Sequence, residues 1–391
     1  NVQIREQRFS EILYSSKYSI VLLAFYNGLY SVQINGLRDG QKIKHTIVMK
    51  YHPNPENRSE FRESYKRECS FYCKTVPRYL EIQQNFKIIE GLRIKFPNCI
   101  FASDEYDRET VVIMGLIEDG FMFHDRLQKM DLYRVILVMK YLAKMHALSF
   151  VLEKSKPEEF RKIKDLYYKD VQYADPSRQH KPMICFYDAS VSVVSDPIAR
   201  DKLKELSPNI LSILHKCTLP LPRYSAICHG DCWNNNILFK YQGKRPVDVI
   251  LIDFQLVRFA SPVTDIAYFL YMSTDREFLS EHYETVLNIY YGTLTAVLRE
   301  CNLNVEEVYP RKIFEDHLRE YSVLGLVEAL ISMMIITAPF EEALKMTEIK
   351  YQFCNEGIQT VQGNVLFKER VNDIVYDFFS RSYSLDSVLT K

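Results

Sequence analysis

Three polar residues stand at a spacing that would do chemistry. Asp231 is followed five positions later by Asn236, and Asp253 closes a later apolar run. His229 lies two places before Asp231, and Phe254 directly follows Asp253. A positioned carboxylate can take a proton from a hydroxyl. An amide oxygen and a second carboxylate are hard ligands suited to Mg2+. The order H-x-D-x-x-x-x-N, then a strand ending in D-F-x, is the phosphoryl-transfer pattern of kinases. A lone Asp or Asn in a loop usually caps a turn or a helix, but here five residues coincide at the required offsets. The catalytic candidates are therefore Asp231, as general base, and His229, as support for its loop. Asn236 and Asp253 are the candidate Mg2+ ligands, with ATP as the phosphoryl donor.

Such a site needs rigid strands under it. Ile237 to Tyr241 and Val247 to Ile252 are short apolar runs around Gln242-Gly243-Lys244-Arg245-Pro246, which predicts a β-hairpin bringing Asn236 close to Asp253. Tyr224 to Cys228 reads as a third short strand leading into the Asp231 loop. Earlier, Tyr18 to Phe25, Gly28 to Ile34 and His45 to Lys50 are β-type runs with turn signals at Asn27-Gly28 and Asp39-Gly40. Lys50 closes the third run and is the candidate contact for the nucleotide phosphates. A helix over 61–79, ended by Pro77, would supply its acidic partner, Glu63 or Glu68. Thr110 to Leu116 is an apolar strand leading to a hinge where backbone groups of Met114 to Leu116 would meet adenine. Leu132 to Phe150 shows a helical apolar face that includes His146, read as a satisfied core histidine. Residues 154–183 read as an insertion with short helices. Asp265 would cap the helix DIAYFLYM and tie down the catalytic loop, and helices over 281–299 and 313–337 would follow.

Composition sets bounds on function. The 391 residues carry 50 Lys plus Arg against 50 Asp plus Glu, so no global field favours nucleic acid or an acidic membrane. Nine scattered cysteines without a CxxC pair suit a reducing compartment. Cys228-His229-x-x-Cys232 lacks the second ligand pair of a zinc site. Val323 to Ala338 is apolar but short for a span and contains Glu328, so a buried helix is expected. The opening has no apolar leader, and a cytoplasmic monomer is the expectation. There is no GxSxG, no Walker loop and no GxGxxG after a strand. Only eleven residues separate Asp253 from Asp265, too few for the long loop on which protein kinases hold peptides. The expected partner is a small molecule with a hydroxyl group.

The segments HGDCWNNNILFKY, ILIDFQ and DIAYFL together resemble the CHK kinase-like, or ecdysteroid kinase-like, family, which is related to choline kinases and aminoglycoside phosphotransferases. The resemblance implies an α+β protein-kinase-like fold with a small β-rich lobe over 1–116 and a large, mostly helical lobe over 117–391. Through KRECSFY it selects Glu68 as the partner of Lys50. It also implies a lipophilic alcohol, such as an ecdysteroid, as acceptor. The chain departs from the family at the hinge, where Met114-Gly115 replaces acidic residues. It departs again before Lys50, where Asn27-Gly28-Leu29-Tyr30 stands in place of a glycine-containing loop and an Asn-Tyr pair. The rival expectation rests on that second departure: a catalytically inactive binding or regulatory module on a kinase fold.

Overall fold

The computed structural model describes residues 3–8, 28–38, 41–51, 58–106, 108–168, 173, 180–339, 341–343, 346, 364–381 and 383–385. The expected strand over 18–25 and the turn at 39–40 lie outside them. The N-terminal part is one antiparallel sheet of β1 (Gln3–Arg8), β2 (Gly28–Arg38), β3 (Gln41–Tyr51), β4 (Asn98–Ser103) and β5 (Thr110–Met114), in the order β1-β2-β3-β5-β4. Lys50 lies in β3, opposite Leu29 of β2 and Val111 of β5. A strand flanked on both sides holds a side chain far better than a loop does.

Helix α1 (Arg58–Ser70) runs into a π-helical turn, Phe71–Thr75, and then α2 (Val76–Asn85). Pro77 therefore does not end the helix. It sits in the first turn of α2, where a missing N–H costs little, and the wide π turn before it accommodates the ring.

The C-terminal part is mostly helical: α3 (Leu132–Ser155), α4 (Pro157–Lys164), α5 (His180–Ser192), α6 (Pro197–Leu206), α7 (Ile210–Thr218), α8 (Val263–Ser273), α9 (Arg276–Glu300), α10 (Val305–Val308), α11 (Arg311–Thr337) and α12 (Val365–Ser380). Together with the sheet this is the α+β, protein-kinase-like arrangement expected. Two further small sheets are present among the described residues. β6 (Phe121–Phe123) pairs with β8 (Ile237–Gln242), which pairs with β9 (Arg245–Leu251). The hairpin turn is tighter than expected, because β9 starts at Arg245 and takes Pro246 at a bulge. Ala226–Cys228, β7, does not join this hairpin. It pairs with β10 (Arg258–Ala260), a long-range partner that local patterning does not reveal.

Helices α3 and α11 are long and apolar enough to cross a membrane by length and composition, but 78% and 83% of their apolar windows are buried inside the fold. Helix α11 packs on α8 so closely that a Cβ at Gly325 would lie 2.6 Å from the Ala267 carbonyl carbon and oxygen. Those are backbone atoms that cannot yield without moving α8. Gly325→Ala is expected to cost about 1–3 kcal/mol, read as a melting temperature lowered by a few degrees. An unchanged melt would show that the two helices can part freely.

Candidate active site

The ammonium of Lys50 lies 2.8 Å from Glu68 Oε2 and 2.9 Å from Asp253 Oδ1. All three side chains are buried. Burial alone would lower the Lys50 pKa, but the charges of Asp253 and Glu68 outweigh it and hold the ammonium above its ordinary value. Glu63, the other candidate, is exposed and pairs with Lys66 on the same helix. The helix carrying Glu68 grips the segment after Asp253 at several points. Phe254 N donates to Glu68 Oε1 at 3.3 Å, and Arg67 Nη1 donates to Val257 O at 2.6 Å. The Phe254 ring stacks on Phe71 with centroids 3.9 Å apart. Asp253 itself has φ 66°, a left-handed conformation that Asp tolerates better than most residues.

The hairpin brings Asn236 and Asp253 together as the spacing predicts, since Ile252 N donates to Asn236 O at 3.0 Å. Asn236 Nδ2 in turn holds Asp231, donating to its Oδ2 at 2.8 Å and to its backbone oxygen at 2.9 Å. Asp231 Oδ1 accepts from Tyr268 Oη at 2.6 Å. By pattern alone Tyr268 and Tyr271 are alike, two tyrosines in the apolar run DIAYFLYM. Tyr271 is core, with its hydroxyl on Asp377, whereas Tyr268 touches the candidate base. The signal available was position: Tyr268 lies three residues after Asp265, on the same helical face.

Asp265 is in the first turn of α8 rather than at its cap, which is Pro262. Its carboxylate accepts from His229 N at 2.6 Å and Gly230 N at 2.9 Å, and His146 Nε2 lies 3.1 Å away. Burial would raise its pKa, but the hydrogen bond and charge of His146 hold it below the usual range. His146 is the satisfied core histidine expected, with Tyr290 Oη 2.7 Å from Nδ1. His229 uses both ring nitrogens, donating from Nε2 to Ile252 O and accepting from Asp231 N at Nδ1. Burial lowers its pKa, so it stays neutral and shapes the loop. Gly230 has φ +86°, and a Cβ there would lie 2.0 Å from Leu256 O, so the two motif loops touch at a position open only to glycine.

At the expected hinge, β5 ends at Met114 and a turn follows at Gly115. Leu116 is buried and its carbonyl accepts from Phe121 N. Glu118 folds back to accept from Thr46 N instead of extending the hinge.

Among the described residues, the grouping of potential metal ligands found is His146, Cys228 and Asp265. Its His and Asp are committed to the hydrogen bonds above, and burial keeps Cys228 and Cys232 as thiols. The Asn236–Asp253 pair is different. Its donors are hard oxygens, the chemistry Mg2+ prefers. In addition, four buried carboxylates (Glu68, Asp231, Asp253, Asp265) outnumber the buried cations Lys50, Arg67 and Arg258. A divalent cation fits that surplus.

The fold is protein-kinase-like, and the site residues stand in the kinase order. The model of the ecdysteroid kinase-like family matches residues 24–303, and the chain belongs to that family. A comparison with curated proteins returned no match. Similar solved structures include the Plasmodium vivax ethanolamine kinase, 13% identical over 92% of this chain and 83% of that one, at a TM-score of 0.41. A GDP complex of a mutant aminoglycoside 2'-phosphotransferase-IIIa is 13% identical over 91% of this chain and 97% of that one, at 0.37. A glucosamine kinase with glucosamine, ADP and inorganic phosphate is 12% identical over 92% and 83%, at 0.36.

Asp231 is only 9% exposed. Burial pushes its carboxyl pKa from 3.8 up to about 6, against the pull of Tyr268 and Asn236. A raised carboxyl pKa means that the folded state binds protons more tightly than the unfolded one. Stability from this group is therefore full below about pH 4 and is lost as pH rises through about 6. The difference corresponds to roughly 3 kcal/mol. In EDTA, Asp231→Asn should raise the melting temperature at pH 7.5 and leave it nearly unchanged at pH 4. Equal effects at both pH values would mean that the carboxyl is not strained by burial.

Proposed function

We propose that the protein transfers the γ-phosphoryl group of ATP, with Mg2+, to a hydroxyl of a small lipophilic molecule, an ecdysteroid-like alcohol being the first candidate. The observation that carries this reading is the buried Asp231 carboxylate, fixed by Tyr268 and Asn236, beside the Lys50–Glu68–Asp253 cluster. Asp231 orients the acceptor hydroxyl and takes its proton. The acceptor oxygen then bonds to the γ-phosphorus, the bond from that phosphorus to the bridging oxygen breaks, and ADP leaves. Lys50, steadied by Glu68, faces the α- and β-phosphates, with Met114 to Leu116 at the adenine end. Asn236 and Asp253 would hold Mg2+, whose contribution is to neutralise charge on the phosphates.

The short path from Asp253 to Asp265 supports a small acceptor. Its middle is spent on β10, which pairs directly with β7, and α8 begins three residues after β10 ends. The family description points to a steroid-like alcohol.

Two measurements test the reading. ATP should raise the melting temperature with Mg2+ and much less with EDTA, and Asp253→Ala should abolish the Mg2+-dependent part. A metal-independent shift in both proteins would favour an inactive binding module. Asp231→Asn should keep Mg-ATP affinity while kcat on an ecdysteroid or a lipophilic extract falls about 10²–10⁴-fold. A loss under tenfold with the fold intact removes Asp231 as the base. Robust labelling of peptides with no small-molecule product would sink the acceptor assignment.

A further inference from the structure

Some of the buried polar atoms without a hydrogen-bond partner lie in the two loops that build the site. Over 234–258 they are Asn234 Oδ1, Asn235 Nδ2, Gln255 Nε2, and both Nε and Nη2 of Arg258. Arg258 alone among these carries a charge, and it is 6% exposed. A guanidinium enclosed with two nitrogens unpartnered is expensive, and Arg258 is the arginine with two such nitrogens among the described residues; an anion bound there would satisfy both. Of the other cations of the site, Lys50 is already bound to Glu68 and Asp253, and Arg67 donates to Val257 O.

The position of Arg258 is informative. It lies on β10 directly across from Cys228, the residue before His229-Gly230-Asp231. Directly opposed residues of an antiparallel pair present their side chains on one face. Its backbone is fixed from both sides, by Arg67 on Val257 O and by pairing with β7. Its charge acts on Asp231, Tyr268 and His229 around the base, and also on Asp265, Cys228 and Cys217. Lys50 on the nucleotide side thus spends its hydrogen bonds on carboxylates, whereas Arg258 near the base keeps two nitrogens free of hydrogen bonds.

We propose that Arg258 is the contact for the phosphoryl group on the acceptor side of Asp231, taking up its negative charge as its bond passes from ADP to the acceptor oxygen. Planar N–H donors match phosphoryl oxygens in geometry as well as charge. The unpaired donors Asn235 Nδ2 and Gln255 Nε2 of the same two loops are N–H groups as well. This inference rests on the phosphotransferase reading above and adds a residue that no part of the motif contains.

The test compares wild type with Arg258→Met and Arg258→Lys by thermal melting. The probes are Mg·ADP, Mg·ADP with aluminium fluoride as a planar phosphoryl mimic, and inorganic phosphate alone. In wild type, aluminium fluoride should add several degrees beyond Mg·ADP. In Arg258→Met that increment should vanish while the Mg·ADP increment stays, and Arg258→Lys should keep part of it. Hydrolysis of Mg·ATP to inorganic phosphate should fall on the order of 10²–10³-fold in Arg258→Met. Equal aluminium fluoride increments in wild type and Arg258→Met overturn the proposal. A ligand-free Arg258→Met that melts lower with its increment intact also overturns it, making Arg258 a structural cation. If no protein responds to Mg·ADP, the nucleotide reading fails separately, and inorganic phosphate decides on Arg258. Stabilisation of wild type but not Arg258→Met keeps the anion site, and stabilisation of neither removes it.

Discussion

One buried ammonium, shared between two carboxylates, joins the parts of this molecule. Lys50 belongs to the sheet, Glu68 to helix α1, and Asp253 to the loop after the hairpin. None of the three is tolerable in the interior alone, since an unpaired buried charge costs several kcal/mol. Each therefore constrains the other two, and through them the sheet, the helix and the loop. Phe254 on Phe71 and Arg67 on Val257 O add apolar and polar contacts to the same junction. The ion cluster fixes where the pieces meet; the packing supplies most of the stability.

A second junction lies on the opposite side of the catalytic loop. Helix α8 presents Asp265 and Tyr268 from one face, and these grip the loop in two ways. Asp265 takes the backbone N–H groups of His229 and Gly230, and Tyr268 takes the carboxylate of Asp231. Behind α8, Gly325 lets α11 approach until backbone meets backbone. The loop is thereby held by a helix that cannot easily retreat. Burial keeps Tyr268 a neutral phenol, so it donates to Asp231 across the working pH range.

The legible part of this arrangement was the part encoded by local spacing. The offsets from His229 to Phe254 announced the hairpin and the meeting of Asn236 with Asp253, because a two-strand turn makes sequence neighbours into spatial ones. The helical period over 132–150 placed His146 on a buried face. What local patterning could not supply was long-range pairing. The strand at Ala226–Cys228 finds β10, some thirty residues later, rather than the adjacent hairpin. Pro77 looked like a helix stop, yet a π turn carries the helix past it. Tyr268, in the apolar run DIAYFLYM, was indistinguishable from core until its helix was placed beneath Asp231. Arg258, in a short strand, gave no sign of burial. Glu68 over Glu63 was decided by family resemblance, since both lie on one helix with similar neighbours.

The charge balance of the site follows from these constraints. Folding brings four carboxylates into one buried region and supplies three cations, two of which are already spent: Lys50 on carboxylates, Arg67 on a backbone carbonyl. A structure optimised only for stability would have replaced such groups with packed apolar residues, which often costs nothing or gains. On the reading proposed above, the missing charges arrive with ligands: positive charge beside Asn236 and Asp253, negative charge beside Arg258. A phosphoryl donor with its divalent cation carries both signs at once. Scattered surface charges would be screened and could remain unmatched at little cost. Here they are enclosed, and the apolar helices around them, α3 and α11 above all, provide the stability that such a site consumes.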